Sequence, residues 1–161
     1  MKYQIASKNQ INDIINMKNR VKQRIINQNL PMWLNGYPLD EYIIEDIENN
    51  YGRVVIVGEV VAAYAAFYPA NTEYNDELDD LNQRYSYGRV MVDDFFLGQG
   101  IGRFLVEKML NEAKSLGYKG MMITGDDFNT KAITLYKSLG FKKIGEKQFP
   151  YAYLSIFTLD F

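Results

Sequence analysis

Val90-Met91-Val92-Asp93-Asp94-Phe95-Phe96-Leu97-Gly98-Gln99-Gly100-Ile101-Gly102-Arg103 is the stretch from which the fold is read. Tyr87 to Val92 has strand character, and Ile101, Leu105, Val106, Met109, Leu110 and Ala113 then recur at helical spacing until Gly117, a residue suited to a helix C′ position. Between strand and helix, glycines alternate at 98, 100 and 102. Such residues let the main chain approach a ligand with no Cβ in the way. The unpaired amides at the helix start converge on one place, and with the helix dipole they suit a phosphate or pyrophosphate, each such charge interaction being worth about 0.3–1 kcal/mol. Arg103 in the first turn opposes that dipole unless something negative binds nearby. The plainer reading is a tight strand-to-helix turn. A dinucleotide fingerprint would need glycine at position 103 and an acid at the end of a following strand, and a P-loop would need Gly-Lys-Ser/Thr after the turn; neither is present.

Outward from this turn the periodicity alternates. Tyr3 to Ser7 reads as a short strand, and Ile11, Ile14, Ile15, Val21 and Ile25 mark one face of a helix. Leu30 to Pro38, punctuated by two prolines and a glycine, is an ordered connection carrying Trp33 and Tyr37. A second helix follows, with Asp40 as its cap and Tyr42, Ile43 and Ile47 on one side. Val54–Val57 and Val60–Tyr64 flank Gly58-Glu59, a type II′ hairpin signal. Asn71 to Gln83 reads as a long acidic loop. Met121–Thr124 forms a strand, Asn129–Leu139 a helix stopped by Gly140, and Phe141–Phe161 two strands around a Pro150 turn. The order β-α-α-β-β-β-α-β-α-β-β predicts an α/β (α+β) chain, a mixed sheet with helices on its faces.

The 161 residues, 47% apolar and 24% charged with a net charge of -2, predict a single domain over 1–161 with a sizeable core. Cysteine and histidine are absent, which excludes disulfides, thiolate nucleophiles, imidazole-based triads and the usual zinc ligand sets. Proton transfer falls to carboxylates, Tyr, Lys, the backbone or water. No metal is expected, with a carboxylate-bound magnesium ion left open. The amino terminus lacks secretory-signal features, and Val60–Tyr68 is about half the ~20 residues of a spanning helix, so a soluble, cytoplasmic protein without a membrane partner is expected. From Leu97 to Gly145 eight bases face four acids, and the remainder is acidic, densest at Glu73, Asp76, Glu77, Asp79 and Asp80. Such runs suit a polyanion and a cation respectively, or are simply solvated surface. Without a basic stripe interleaved with aromatics, nucleic acid is not an expected partner.

Val90-Met91-Val92, Leu97-Gly98-Gln99-Gly100-Ile101-Gly102-Arg103, and then Asn129, Ala132 and Leu135-Tyr136-Lys137-Ser138-Leu139-Gly140-Phe141 together resemble the GNAT superfamily of N-acetyltransferases. The element order fits along essentially the whole chain. The resemblance implies a GNAT fold: a mixed, mostly antiparallel central sheet of about seven strands with helices on both faces. It further implies that the strand backbone at Met91 and Val92 pairs with the pantetheine arm of acetyl-CoA, the co-substrate, while the turn from Leu97 to Arg103, with Gly98, Gln99, Gly100, Ile101 and Gly102, holds the pyrophosphate. Leu97 departs from the family pattern, which has Gln or Arg there; a side-chain contact is lost and the backbone amide kept. Asn129 matches a family residue that contacts the cofactor, and Tyr136 the tyrosine proposed to protonate the departing thiolate.

A thioester is already activated, so a deprotonated amine held in line can attack it directly, without histidine or metal. An amide of Met91 or Val92 would meet the oxyanion, and a phenol of pKa near ~10 lies close enough to an alkyl thiol near ~8.5 to donate. The base is open among Asp93, Asp94, Glu59, Glu73, Tyr64, Tyr87 and water. Acceptor recognition would fall to Trp33 and Tyr37, as the apolar wall of a pocket, with the acids at 73–80 attracting an amine; a buried anchor accounts for Trp33 equally well. The expected activity is acetyl transfer to a small-molecule amine or a protein amino terminus, and the family often forms homodimers. The alternatives are an enzyme using a different acyl-CoA, a non-catalytic acyl-CoA-binding or sensor module, and a phosphate- or nucleotide-binding protein sharing only the turn.

Overall fold

The computed structural model describes residues 1–70 and 78–161. Among them the strands are β1 (Lys2–Ile5), β2 (Gly52–Val57), β3 (Val60–Pro69), β4 (Arg84–Val92), β5 (Gly120–Gly125), β6 (Lys142–Gln148) and β7 (Tyr153–Asp160). The helices are α1 (Ile11–Asn27), α2 (Asp40–Glu48), α3 (Ile101–Ser115) and α4 (Thr130–Ser138). The strands hydrogen-bond in the order β1-β2-β3-β4-β5-β7-β6, a mixed, mostly antiparallel sheet flanked by helices, with β4 and β5 paired in parallel through Arg84↔Gly120 and Tyr85↔Met121. This is the element order read from the sequence. Two compact units divide the chain, one comprising Met1–Phe67 and Tyr87–Met109, the other Tyr68–Ser86 and Leu110–Phe161.

In the first unit, Ile14, Met17, Val21 and Ile25 come round on one face of α1 and join Ile43 and Ile47 of α2, Val54 of β2, Tyr64 of β3 and Met91 of β4 in one apolar cluster. β3 is buried along nearly its whole length, which explains why Val61–Tyr68 reads as an unbroken apolar run rather than an alternation. The hairpin closes as expected: Val57 pairs with Val60, and Gly58, at φ +62°, takes the first turn position that a type II′ turn reserves for glycine. Asp40 does not cap α2. Leu39 holds the N-cap place, and Asp40 is the first helical residue, its carboxylate drawn to the buried ammonium of Lys18 on α1. A carboxylate in the first turn still complements the dipole.

In the second unit, β5, β7 and β6 form an antiparallel ladder over a cluster of Met122, Phe149, Leu154 and Ile156 with Ala70 and Leu81. The register of β6 slips between Lys143 and Gly145, so Ile144 is the extra residue of a bulge and stands half exposed. Gly140 ends α4 at φ +95°, as its position in the sequence implies. Residues 71–77, most of the expected acidic loop with Glu73, Asp76 and Glu77, lie outside the described residues. β4 begins at Arg84 rather than Tyr87, because Arg84 is anchored by Asp80 at 2.9 Å and Asp160 at 2.7 Å. The guanidinium holds the Asp80 carboxyl below its ordinary range.

Gly120 is fixed by close approach: a Cβ there would lie 2.2 Å from the Leu159 carbonyl oxygen and 2.8 Å from an Arg84 nitrogen. Gly145, by contrast, has open space where its Cβ would be. Gly120→Ala should therefore cost at least about 2 kcal/mol in chemical denaturation, and Gly145→Ala less than about 0.5 kcal/mol. Equal costs would show that the β5–β7 contact is looser than described.

Candidate functional site

β4 leads to α3 through a short 3-10 turn, Asp94–Phe96, and the glycine turn. Asp93 is 2% exposed; its amide donates to the Ala62 carbonyl at 2.9 Å, and its carboxylate accepts from the Phe95 amide at 3.1 Å and pairs with Arg20 of α1. Asp94 pairs with Arg24 one turn further along α1. Both aspartates weighed as bases are thus occupied in holding the turn to α1. Glu59 sits exposed in the hairpin turn, and Glu73 lies outside the described residues.

Gly98 and Gly100 take φ of +75° and +77°, where an L side chain would cost about 1–2 kcal/mol, and a Cβ on either would project into open space. Gly102 is different: its φ is ordinary and its Cβ would meet Val92 at a comfortable 3.5 Å. Two of the three glycines are therefore demanded by the turn. Phe104 donates to the Gly100 carbonyl at 3.0 Å and starts the helical ladder, so the Ile101 and Gly102 amides precede it, without acceptors inside the helix. Arg103 points along the helix to Glu107 at 3.0 Å, so an acid four residues on relieves its conflict with the dipole and the anion inferred from it is not required. Leu97 is exposed, and Phe95 beside it is 81% exposed. Bare main chain at the positive end of a helix, with open space above it, fits a diphosphate.

The sequence reading missed a buried polar network in the same unit. Arg89 on β4 grips Asp46 of α2 with two bonds, Nε to Oδ2 at 2.9 Å and Nη2 to Oδ1 at 2.7 Å, and the Tyr64 hydroxyl donates to Oδ2 at 2.7 Å. Burial first, and then the Asp46 charge, drive the Tyr64 phenol far above its ordinary range, so Tyr64 donates and does not act as a base. Arg89 itself has φ +52°, a conformation that costs a non-glycine residue about 1–3 kcal/mol and persists only when its surroundings impose it. No signal in the sequence marks this pair, because Asp46 sits in an acidic helix and Arg89 in a strand of ordinary alternation.

Trp33 and Tyr37 lie on the α1–α2 connection, which Lys22 fastens through the Gly36 carbonyl at 2.9 Å. Trp33 is half-buried, packs against the first unit's cluster, and meets Tyr37 edge-on at 6.5 Å between ring centres. Tyr37 in turn leans on Tyr42 at 5.8 Å and takes a long contact of 3.4 Å from Arg89. Met91, Val92, the 97–103 turn, Trp33 and Tyr37 all belong to this unit.

Asn129 and Tyr136 belong to the other. Asn129 is the N-cap of α4, its side-chain oxygen accepting from the Ala132 amide at 3.2 Å, a structural role the sequence motif did not announce. Tyr136 is 7% exposed, with ring centres of Phe141 and Phe157 at 5.9 and 6.0 Å. Burial pushes its phenol up to about 12. Among the described residues no cluster of three or more His, Cys, Asp or Glu side chains could hold a metal ion, and no helix is long and apolar enough to cross a membrane.

The sequence profile of the acetyltransferase (GNAT) family matches residues 22–141. Human N-acetyltransferase 8B is 36% identical over 67 residues, 42% of this chain and 30% of that protein, so the match spans less than a third of the relative's length. An acetyltransferase of the GNAT family from Streptococcus agalactiae superposes with a TM-score of 0.83 at 20% identity, covering 99% of this chain and 94% of that one. The Salmonella typhimurium protein yncA, solved with its cofactor acetyl-CoA, gives a TM-score of 0.73 at 20% identity over 99% and 93% of the two chains. At such identities the solved structures speak for the fold, and the profile speaks for the family. On that match, which takes in β4, the glycine turn and α4, the chain belongs to the acetyltransferase (GNAT) family.

Proposed function

We propose that this protein transfers the acetyl group of acetyl-CoA to a primary amine by direct attack, with no covalent enzyme intermediate. The observation that carries the reading is the pair of left-handed glycines, Gly98 and Gly100, opening α3 beneath unobstructed space. Acetyl-CoA, when bound, supplies an acyl group already activated as a thioester. The turn amides would hold its diphosphate, and β4 backbone at Met91 and Val92 would align its arm and donate to the carbonyl oxygen as charge gathers there. The amine nitrogen forms the new bond to the acyl carbon and gives up one proton to water, the carbon–sulfur bond breaks, and sulfur leaves as the thiol after taking a proton from a donor that water reprotonates.

Tyr136 is our choice for that proton. With its phenol near 12 it is a weaker acid than sequence alone suggested, about 3.5 pKa units above a free alkyl thiol, so it serves as a hydrogen-bond donor to the forming thiolate more readily than as a full acid. Its packing against Phe141 and Phe157 favours a second reading, in which Tyr136 is a core aromatic of a protein that binds acyl-CoA without turning it over. Trp33 and Tyr37 are proposed as the acceptor's apolar wall. Asn129 is proposed to touch the cofactor through its amide nitrogen, its oxygen being engaged in capping.

A panel of amines assayed for release of free thiol from acetyl-CoA tests the activity itself. Tyr136→Phe should slow release at least about tenfold with little change in acetyl-CoA affinity; unchanged turnover would leave the tyrosine as packing only. Because the phenol titrates near 12, the rate should climb with pH as the amine deprotonates and show no falling limb below about pH 11. A falling limb that vanishes in Tyr136→Phe and lies nearer pH 9 would contradict the buried phenol.

Gly117 shares the backbone of Gly100, with φ +85° and open space at Cβ, but ends a helix instead of starting one. Gly100→Val and Gly117→Val should lose similar stability, about 1–2 kcal/mol each, while calorimetry finds acetyl-CoA binding weakened at least about tenfold only in Gly100→Val. Intact binding there would dismiss the turn as the diphosphate site.

A further inference from the structure

We propose that Asp46, acting through Arg89, is a positioning residue that sets the direction of the Met91 and Val92 amides on β4. The inference rests on the reading of these amides given above. Regular strand backbone cannot contain a residue at φ +52°, so Arg89 turns the peptides that follow it away from the direction a continuous pleat would give them. Arginine has no intrinsic reason to adopt that conformation. What imposes it is the bidentate grip of Asp46, whose side chain is 6% exposed against 14% for Arg89. The Tyr64 hydroxyl donates to the same carboxylate, so Asp46 is itself braced.

The downstream end of the segment is held in a similar way. Asp93 is bonded through its amide to Ala62 and through its carboxylate to Arg20. Residues 90–92 are therefore bracketed by two ion pairs, one from α2 and one from α1, each with a buried carboxylate. A buried ion pair seldom stabilises a fold more than apolar replacements would, whereas it does select one backbone arrangement among several. A strained residue kept two and three positions before the proposed acyl-binding amides is well placed for that use.

The test compares two double variants that differ by one methyl group. Asp46→Ala/Arg89→Gly and Asp46→Ala/Arg89→Ala both remove the pair and leave no orphaned buried charge, but only glycine holds a positive φ without strain. The full chain, isotope-labelled, is read for the Met91 and Val92 backbone amide signals without ligand, for its thermal midpoint, and for kcat and KM in thiol release from acetyl-CoA with the amine that best serves the unmodified protein. The glycine variant should keep both amide signals near their original positions and kcat within about threefold. The alanine variant should displace both signals and lose at least about tenfold in kcat at a nearly constant KM for acetyl-CoA. A pair that only stabilised the fold would lower both midpoints alike and leave the two kcat values equal; equal kcat with coincident amide signals overturns the proposal. If the Asp46→Ala background fails to fold, Asp46→Asn replaces it under the same criteria. A wild type that releases no thiol with any amine would defeat the reading of function, and the amide signals would then decide the role of Asp46 by themselves.

Discussion

Between Val92 and Ile101 the main chain passes from strand to helix, and it does so by placing Gly98 and Gly100 in the left-handed region. That constraint does two things at once. It lets α3 begin abruptly, with the first ladder bond from Phe104 to Gly100, and it leaves open space where side chains at Gly98 and Gly100 would stand. Helix dipole and bare N–H groups then act in the same direction. Contacts from β3 and α1 hold the entrance of this turn. Arg20 and Arg24, one helical turn apart on α1, each hold one of the two aspartates at its entrance.

Three of the charges buried in the first unit meet an opposite charge, and a fourth, Arg53, donates to the Asn50 and Gly52 carbonyls and lies over the Phe67 ring. Lys18, Asp46 and Asp93 are all taken out of water, and each has an oppositely charged partner on another element. An unpaired charge in such a place would titrate or disrupt the core. These pairs tie α1 to α2 and both helices to β4 or the residue that follows it, and Ile14, Met17, Ile43, Tyr64 and Met91 belong to the apolar cluster beside them.

A protein without histidine or cysteine has few ways to move protons, and the structure narrows them further. Tyr64 is committed to Asp46, Asp93 to Arg20 and the Phe95 amide, and Asp94 to Arg24. For the acetyl transfer proposed above, proximity and backbone dipoles would then be the main resources beside Tyr136, which suits a reaction whose electrophile arrives already activated. Under such conditions the placement of a few main-chain amides matters more than any side chain's acidity, and strain held at Arg89 becomes intelligible.

Local pattern carried most of the fold. The 3.6-residue spacing of α1 and α3, the Gly58 turn, the stops at Gly117 and Gly140, and the glycine alternation at 98 to 102 depend on interactions within a few residues, and all are legible one residue at a time. Where reading and structure differ, a distant partner decides. Arg84 starts β4 early because Asp160 reaches it, Asp40 faces Lys18 instead of capping its helix, and Gly120 is glycine because the Leu159 carbonyl crowds it. Arg103, read as a sign of an anion, is the exception: it turns to Glu107, a partner only four residues along the same helix. The Asp46–Arg89 pair, 43 residues apart, left no trace in the sequence at all. A chain by itself therefore determines where its backbone turns and which faces are apolar, since those follow from each residue's own sterics and solubility. Which carboxylates are buried, and what they hold in place, is decided only when segments remote along the chain share a dry interior, because a buried charge is tolerable only where an opposite charge or hydrogen-bonding groups receive it.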